Sequence, residues 1–177
     1  DLGRAYYCGC SRKELKAHEG RHPYRCRNGA QSPDDRPLAI RFALQDEQAQ
    51  WHDRILGGQH QSVRAEVDDP VIIRKEGFIA YQLAVVVDDL RQEITDVVRG
   101  DDLLASAARQ QLLYAAFQCE PPRWWHMPLV RGADGRRLAK RHGDTRLDHF
   151  RDRGVPSEKI LGLLAWWCGL LENREPV

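Results

Sequence analysis

Nowhere in these 177 residues is there an apolar run of the roughly 20 residues that a membrane-spanning helix needs. Nor does a basic-then-apolar leader open the sequence. An excess of charge of either sign is missing too: 27 basic and 26 acidic side chains leave a net charge of +1. Bulk electrostatics therefore do not advertise nucleic acid, and any RNA contact would need a local basic patch. A disulfide framework is disfavoured, because five cysteines are an odd number and three of them fall within the first 26 residues. That distribution suits a metal site in a reducing compartment such as the cytoplasm. What remains is a soluble composition, 30% charged with a mean hydropathy of −0.61. The length admits one domain with a real core, or one domain plus a small module. The chain opens on Asp1-Leu2-Gly3-Arg4 with no initiator methionine, and Ala5-Tyr6-Tyr7 already reads as a strand. The expectation is a fragment, or a protein without its N-terminal part.

The first module carries Cys8 and Cys10 as a Cys-x-Cys pair, and Cys26 follows a short helical insert. Ser11 with Glu14 three residues on predicts a capping box, and Gly20 a stop. Zinc takes four sulfur or nitrogen donors in a tetrahedron. Three thiolates need one more donor, and His22, His18 and Tyr24 are the candidates. His22, four residues before Cys26, offers the better ligand at neutral pH, and the expected set is Cys8, Cys10, His22 and Cys26. A closed four-ligand site implies structure, not chemistry.

Residues 28–35 form a polar loop. Leu38 to Leu44 alternates like a strand, and Gln50 to Leu56 reads as another, closed by Gly57-Gly58. Trp51 and His52 are assigned to packing and to the surface, and no chemistry is assigned to this connection.

The stretch from Asp69 to Phe117 organises the rest. Valine and isoleucine crowd residues 71–87, and Lys75-Glu76-Gly77 splits them like a tight turn, so two strands are predicted, the second ending at Asp88-Asp89. Ile94 to Gly100 predicts a short strand. Residues 101–117 predict a helix whose core face carries Leu104, Ala108, Leu112 and Ala115, with Asp101 and Asp102 at its positive end. An arginine at the end of the preceding strand, Arg99, lies at the carboxyl edge of a sheet, where open α/β folds hold ligands. It can pair with a carboxylate through two parallel hydrogen bonds. A surface ion pair would satisfy the same position.

Beyond the break at Glu120-Pro121-Pro122, residues 123–130 read as a strand with two aromatics, and His126 as a structural hydrogen-bonding residue. Gly132 to Gly135 is a turn, followed by the basic run Arg136-Arg137-Leu138-Ala139-Lys140-Arg141. A helix opens near Ser157. Its apolar face is predicted to carry Ile160, Leu163, Leu164, Trp167, Leu170 and Leu171, with the pair Trp166-Trp167 packed in a core.

Several of these words occur in one order in a known family. Tyr81-Gln82-Leu83-Ala84-Val85-Val86-Val87-Asp88-Asp89, Ile94-Thr95-Asp96-Val97-Val98-Arg99-Gly100, Asp102-Leu103-Leu104 and Ala108-Arg109-Gln110 resemble the glutamyl-tRNA synthetases of class I. The Tyr-Gln-Leu-Ala and Asp-Leu-Leu wording is most similar to their truncated paralogues, the glutamyl-queuosine tRNA(Asp) synthetases. His126-Met127-Pro128-Leu129 resembles the family's His-x-Pro-Leu, and residues 136–144 occupy the place of its mobile Lys-Met-Ser-Lys-Ser loop. Arg137 stands where that loop has its first Lys, Ala139 where it has the Ser, and Lys140 matches the second Lys. Relatives carry Tyr where His22 stands.

The resemblance implies an α/β fold: the second half of a class I synthetase Rossmann-type catalytic domain, with a zinc-binding insertion and a C-terminal helical region. The expected division is a zinc module over 1–30, a β-rich connection over 31–68, the catalytic half over 69–147 and a helical stem-contact region over 148–177. It implies ATP-dependent activation of glutamate and transfer to the queuosine base of tRNA(Asp), by a monomer. Tyr81 and Arg99 would bind glutamate, Lys140 would serve ATP, and one structural zinc ion would be held. No side chain would form a covalent intermediate. The family's first half carries a His-x-Gly-His-like motif, and none occurs among these residues, so the 177 residues are expected to be inactive alone. An ordinary glutamyl-tRNA synthetase charging tRNA(Glu), or a degenerate zinc-stabilised RNA-binding module, are the alternatives.

Overall fold

The computed structural model describes residues 3–19, 22–29, 36–45, 48–132, 135–137 and 146–172. The chain divides into two compact units, Asp1–Pro128 and Leu129–Val177.

The first unit is mixed α/β. In chain order it holds β1 (Ala5–Cys8), α1 (Arg12–Ala17), β2 (Ala39–Phe42), β3 (Gln48–Asp53), β4 (Gly57–Ser62), β5 (Val71–Ile73), α2 (Tyr81–Arg91), β6 (Asp96–Gly100), α3 (Leu104–Ala116) and β7 (Arg123–Met127). One sheet is antiparallel, in the order β1-β2-β5. The other runs β4-β3-β7-β6. Its β3–β4 hairpin is antiparallel, but β7 pairs in parallel with both β3 and β6. Helix α3 is the crossover between the parallel strands β6 and β7, the unit from which doubly wound sheets are built.

Strand β7 shows why this sheet forms. Trp124 and His126 are buried, whereas Arg123 and Met127 are exposed, the period-two pattern of a strand with one covered face. Trp124 joins Tyr114, Leu113, Val86, Val67, Trp51 and Leu44 in the main core. A fully buried side chain of this size contributes about 1.5–3 kcal/mol relative to leaving it in water.

The second predicted strand of the central stretch is not there. Its turn exists: Gly77 N–H bonds Arg74 O at 2.9 Å, with Gly77 at φ 85°, where a side chain is strained. Only a single bridge, Ile73 to Ile79, follows. From Tyr81 the chain is helix α2, through the valine run to Arg91. Leu83, Val86 and Leu90 stand at i, i+3 and i+7, and Val86 is fully buried against the main core. That packing outweighs the few tenths of a kcal/mol by which each valine disfavours helix. In α3 the buried set is Ala107, Ala108, Gln110, Leu112, Leu113 and Tyr114; Ala115 is exposed, because the core covers a face turned toward Tyr114.

Gly57-Gly58 opens β4 rather than closing a strand, and the hairpin turn is made by residues 54–56. The capping box is present: Glu14 N–H donates to Ser11 Oγ at 3.2 Å and Ser11 N–H to Glu14 Oε2 at 2.7 Å. Gly20 lies outside the described residues.

The second unit begins with a turn in which Gly132 N–H bonds Arg136 O at 2.9 Å and Arg131 bridges Arg137. Residues 138–145, with Ala139 and Lys140, lie outside the described residues. Helices α4 (Leu147–Asp152) and α5 (Ser157–Trp167) follow. Gly154, at φ 68°, makes the left-handed step that ends α4. Helix α5 stops at Trp167, so Leu170 and Leu171 are not on it, and Leu170 is 77% exposed. Leu161, Leu164 and Trp167 are exposed as well, and Trp166 is half-buried, so this apolar face is not the packed core expected of it. No helix among the described residues is long and apolar enough to cross a membrane.

These burial differences predict unequal costs of truncation. Leu113→Ala should lower the unfolding free energy by about 2–5 kcal/mol, the range for a buried leucine. Leu161→Ala should stay within about 0.5 kcal/mol. Urea unfolding followed by tryptophan fluorescence measures both.

Candidate metal site and ligand cleft

Cys8 ends β1, Cys10 stands immediately before the cap of α1, and Cys26 lies in a 3-10 turn over Arg25–Asn28. Together with His22 their ligand atoms lie within 4.8 Å of one another, and all four residues are buried. Cys10 Sγ and Cys26 Sγ are 3.7 Å apart, too far for a disulfide. Two thiolates each about 2.3 Å from one tetrahedral ion would stand about 3.8 Å apart. His22 supplies the fourth donor. Its Nδ1 lies 3.3 Å from the Tyr6 hydroxyl and 3.1 Å from the Tyr24 N–H, and its Nε2 is buried with no partner among the described residues. An orphaned ring nitrogen beside three sulfurs is what a metal site requires. His18 is exposed and outside the cluster, and Tyr24 lies edge-on to the His22 ring. Burial, and the sulfurs of Cys26 and Cys8, push the Cys10 thiol up to about 12. A divalent cation beside the Cys10 sulfur would favour its thiolate.

Asp69 anchors this module from outside. Fully buried, it accepts from the Tyr6 hydroxyl at 2.6 Å, from Arg27 Nε at 2.7 Å and from Leu44 N–H at 3.0 Å. A groove of about 700 Å3 is lined by Cys8, Cys10, Arg12, Arg74, Lys75 and Phe78. A second cleft of about 440 Å3 is lined by Arg41, Arg74, Tyr81, Gln82 and Arg109.

Arg99 occupies the carboxyl end of β6, as its sequence position predicts. Its Nε donates to His126 Nε2 at 3.0 Å, Nη1 to Gln110 Oε1 at 2.9 Å and Nη2 to Leu103 O at 3.3 Å, and its carbon lies 4.8 Å from the centroid of the Trp124 ring. Of five guanidinium N–H groups, these bonds use three. Tyr81, the half-exposed first residue of α2, acts on the same guanidinium, so the structure brings Tyr81 and Arg99 together. Burial lowers the Arg99 pKa, and Tyr81, Asp89 and Asp53 oppose that shift.

Three residues were not singled out by the sequence reading. Asp53, at the end of β3, is fully buried and lies 2.5 Å through Oδ2 from His126 Nδ1. Gln110 Nε2 donates to Gln82 Oε1 at 3.0 Å, and Gln82 Nε2 to Ser106 Oγ at 3.2 Å. Gln110 carried a signal: it is a polar residue on the buried stripe of α3, between Ala107 and Leu113. Asp53 carried the alternation of β3 and opens Asp53-Arg54-Ile55-Leu56-Gly57, a stretch to which no chemistry was assigned.

A sequence model of the tRNA synthetases class I (E and Q), catalytic domain, matches residues 1–169. The chain belongs to this family. It is 42% identical over 198 residues to a Glutamyl-Q tRNA(Asp) synthetase of Rhodopirellula baltica, covering 99% of this chain and 60% of that protein. A Glutamyl-Q tRNA(Asp) synthetase of Xanthomonas campestris is 46% identical over 173 residues, 95% of this chain and 53% of its own length. A Glutamate--tRNA ligase 2 of Halorhodospira halophila is 40% identical over 177 residues, 93% of this chain and 37% of its own. The chain thus spans some 60% or less of these relatives. Among solved structures, the glutamate-tRNA synthetase of Elizabethkingia anophelis superposes with a TM-score of 0.70 over 92% of this chain and 41% of its own, at 24% identity, and so shares the fold. The family's α/β architecture with a parallel sheet is the one described above.

The buried carboxylate predicts an acid limb. Burial raises the Asp53 pKa, but the bonds from His126 and from the N–H groups of Leu56, Ile55 and His126 outweigh it and hold it at about 2. The unfolded chain therefore binds more protons between about pH 4 and 2. The stability Asp53 contributes is complete above about pH 5 and is lost as pH falls through about 2. Unfolding free energies measured from pH 6 downward should decline in this window, and less so in Asp53→Asn.

Proposed function

We propose that this chain is the second half of a catalytic domain that activates glutamate with ATP and transfers it to the queuosine base of tRNA(Asp). The observation that carries the glutamate reading is Arg99: held at three points at the carboxyl end of β6, its guanidinium stands beside the Tyr81 phenol. A guanidinium can take a carboxylate in two parallel bonds. The names borne by the Rhodopirellula and Xanthomonas relatives support tRNA(Asp) as the acceptor. The Halorhodospira relative favours a second reading, charging of tRNA(Glu).

In this mechanism one carboxylate of glutamate is fixed by Arg99 and Tyr81. Glutamate oxygen attacks the α-phosphorus of ATP, giving glutamyl adenylate and pyrophosphate, and a tRNA hydroxyl then attacks the activated carbonyl, takes the glutamyl group and releases AMP. Positioning and charge stabilisation supply the rate, with no covalent enzyme intermediate. Lys140 is assigned to the leaving phosphates, where a cation counts for more as negative charge develops. Cys8, Cys10, His22 and Cys26 would hold one zinc ion, which stiffens the module without entering the reaction. The protein works as a monomer in the cytoplasm. The 177 residues alone do not form the adenylate, since no His-x-Gly-His-like motif occurs among them.

A protein of the relatives' length that carries this chain should catalyse glutamate-dependent ATP–pyrophosphate exchange, and the isolated 177 residues should not. Arg99→Ala should raise the KM for glutamate at least ~10-fold, the loss of hydrogen bonds to a charged group. Labelled glutamate should move to queuosine-containing tRNA(Asp) and not to tRNA(Asp) lacking the modified base. Movement to tRNA(Glu) instead would establish the second reading, and exchange by the isolated chain would refute the claim of inactivity.

Metal content gives a separate test. The purified chain should retain close to one zinc per molecule after dialysis against a weak chelator, by elemental analysis. Cys26→Ser and His22→Ala should each lose it and melt at lower temperature.

A further inference from the structure

Asp53, His126 and Arg99 come from three neighbouring strands and form one line. Arg99 pairs with His126 across β6–β7, and Asp53 pairs with Trp124 across β3–β7. Asp53 and His126 are fully buried, while Arg99 is half-buried and turned to the Tyr81 side. The line therefore begins in the core and ends at the half-buried Arg99 beside Tyr81.

Its proton positions follow from donor chemistry. An arginine Nε carries a hydrogen and can only donate, so His126 Nε2, 3.0 Å away, accepts. The proton of the neutral ring then sits on Nδ1 and is donated to Asp53 Oδ2 at 2.5 Å. Asp53 cannot turn away, because its Oδ1 accepts from Ile55 N–H at 3.0 Å, Leu56 N–H at 2.9 Å and His126 N–H at 3.3 Å. The His126 ring is stacked on Trp124, 22° between planes. On the far side of the guanidinium, Gln110 is itself oriented by Gln82. A hydrophobic core of equal volume would be about as stable as a buried polar line, so stability alone does not account for it.

We propose that Asp53 and His126 are positioning residues that fix the plane and rotation of Arg99 for a substrate carboxylate, Asp53 by setting the tautomer of His126. This rests on the reading of Arg99 as the glutamate-binding arginine. A guanidinium locked beforehand loses less freedom on binding, and its plane is set before glutamate arrives. Asp53→Asn preserves shape and can keep its bonds to Ile55 and Leu56. It presents N–H to His126 Nδ1, however, which drives the ring proton to Nε2. Two donors, His126 Nε2–H and Arg99 Nε–H, then face each other, and Arg99 is displaced.

The test uses the protein of the relatives' length that carries this chain. In its unaltered form, nitrogen-15 spectra of the His126 ring should show Nδ1 protonated and Nε2 bare, a result that needs no variant. Asp53→Asn should move the proton to Nε2 and raise the KM for glutamate about 10-fold or more, with the KM for ATP unchanged. His126→Gln, which keeps an acceptor toward Arg99 and a donor toward Asp53, should retain a lower glutamate KM than His126→Ala. A proton on Nε2 in the unaltered protein overturns the proposal. So does an unchanged glutamate KM in Asp53→Asn when Arg99→Ala raises it. If Arg99→Ala leaves the KM unchanged too, the glutamate reading itself fails and the proposal with it.

Discussion

The parallel pairing of β6 with β7 leaves no freedom of register. Trp124 and His126 occupy the covered face of β7, and a slip by one residue would put Arg123 and Trp125 there instead. That alternative exchanges one tryptophan for another but buries the Arg123 charge and breaks the bond between His126 and Asp53. The register in turn sets Arg99 opposite His126 and Asp53 opposite Trp124. Three polar residues distant in sequence thus meet because only one face of β7 can be covered without burying Arg123.

A second buried carboxylate does the same work for the other sheet. Asp69 accepts from Tyr6 on β1, from Arg27 in the Cys26 turn and from the backbone of Leu44 beyond β2. The Tyr6 hydroxyl also lies 3.3 Å from His22 Nδ1, which accepts from the Tyr24 N–H at 3.1 Å. Each sheet is therefore tied to its functional cluster by one carboxylate that has no exposure to solvent.

Elements whose residues all agreed were legible in the sequence. Strand β6 and helix α3 combine period, boundary residues and local charge, and the cysteines with His22 announce a shared purpose by residue type alone. Helix α2 was not legible. Its three consecutive valines favour strand locally, and only the contact of Val86 with the core reverses them. Asp53 was not legible either, since its importance lies in a partner 73 positions away. Local pattern carries no trace of such a pair, whereas the Arg99–Gln110 bond spans two adjacent elements and lies closer to what spacing can suggest.

The division of labour in this unit follows from magnitudes. Val86, Leu113, Tyr114 and Trp124 are each at most 2% exposed, and hydrophobic burial of that order dominates folding. The buried polar line contributes far less net, because each of its bonds replaces one to water. Yet it tolerates no vacancy, since a buried donor or acceptor without its partner costs the full desolvation of that group. The apolar cluster can thus vary in detail and still fold, while the polar line must be complete to exist. A structure that needs its geometry exact at one arginine gains from that intolerance: the bonds that add little to stability admit only one orientation of Arg99.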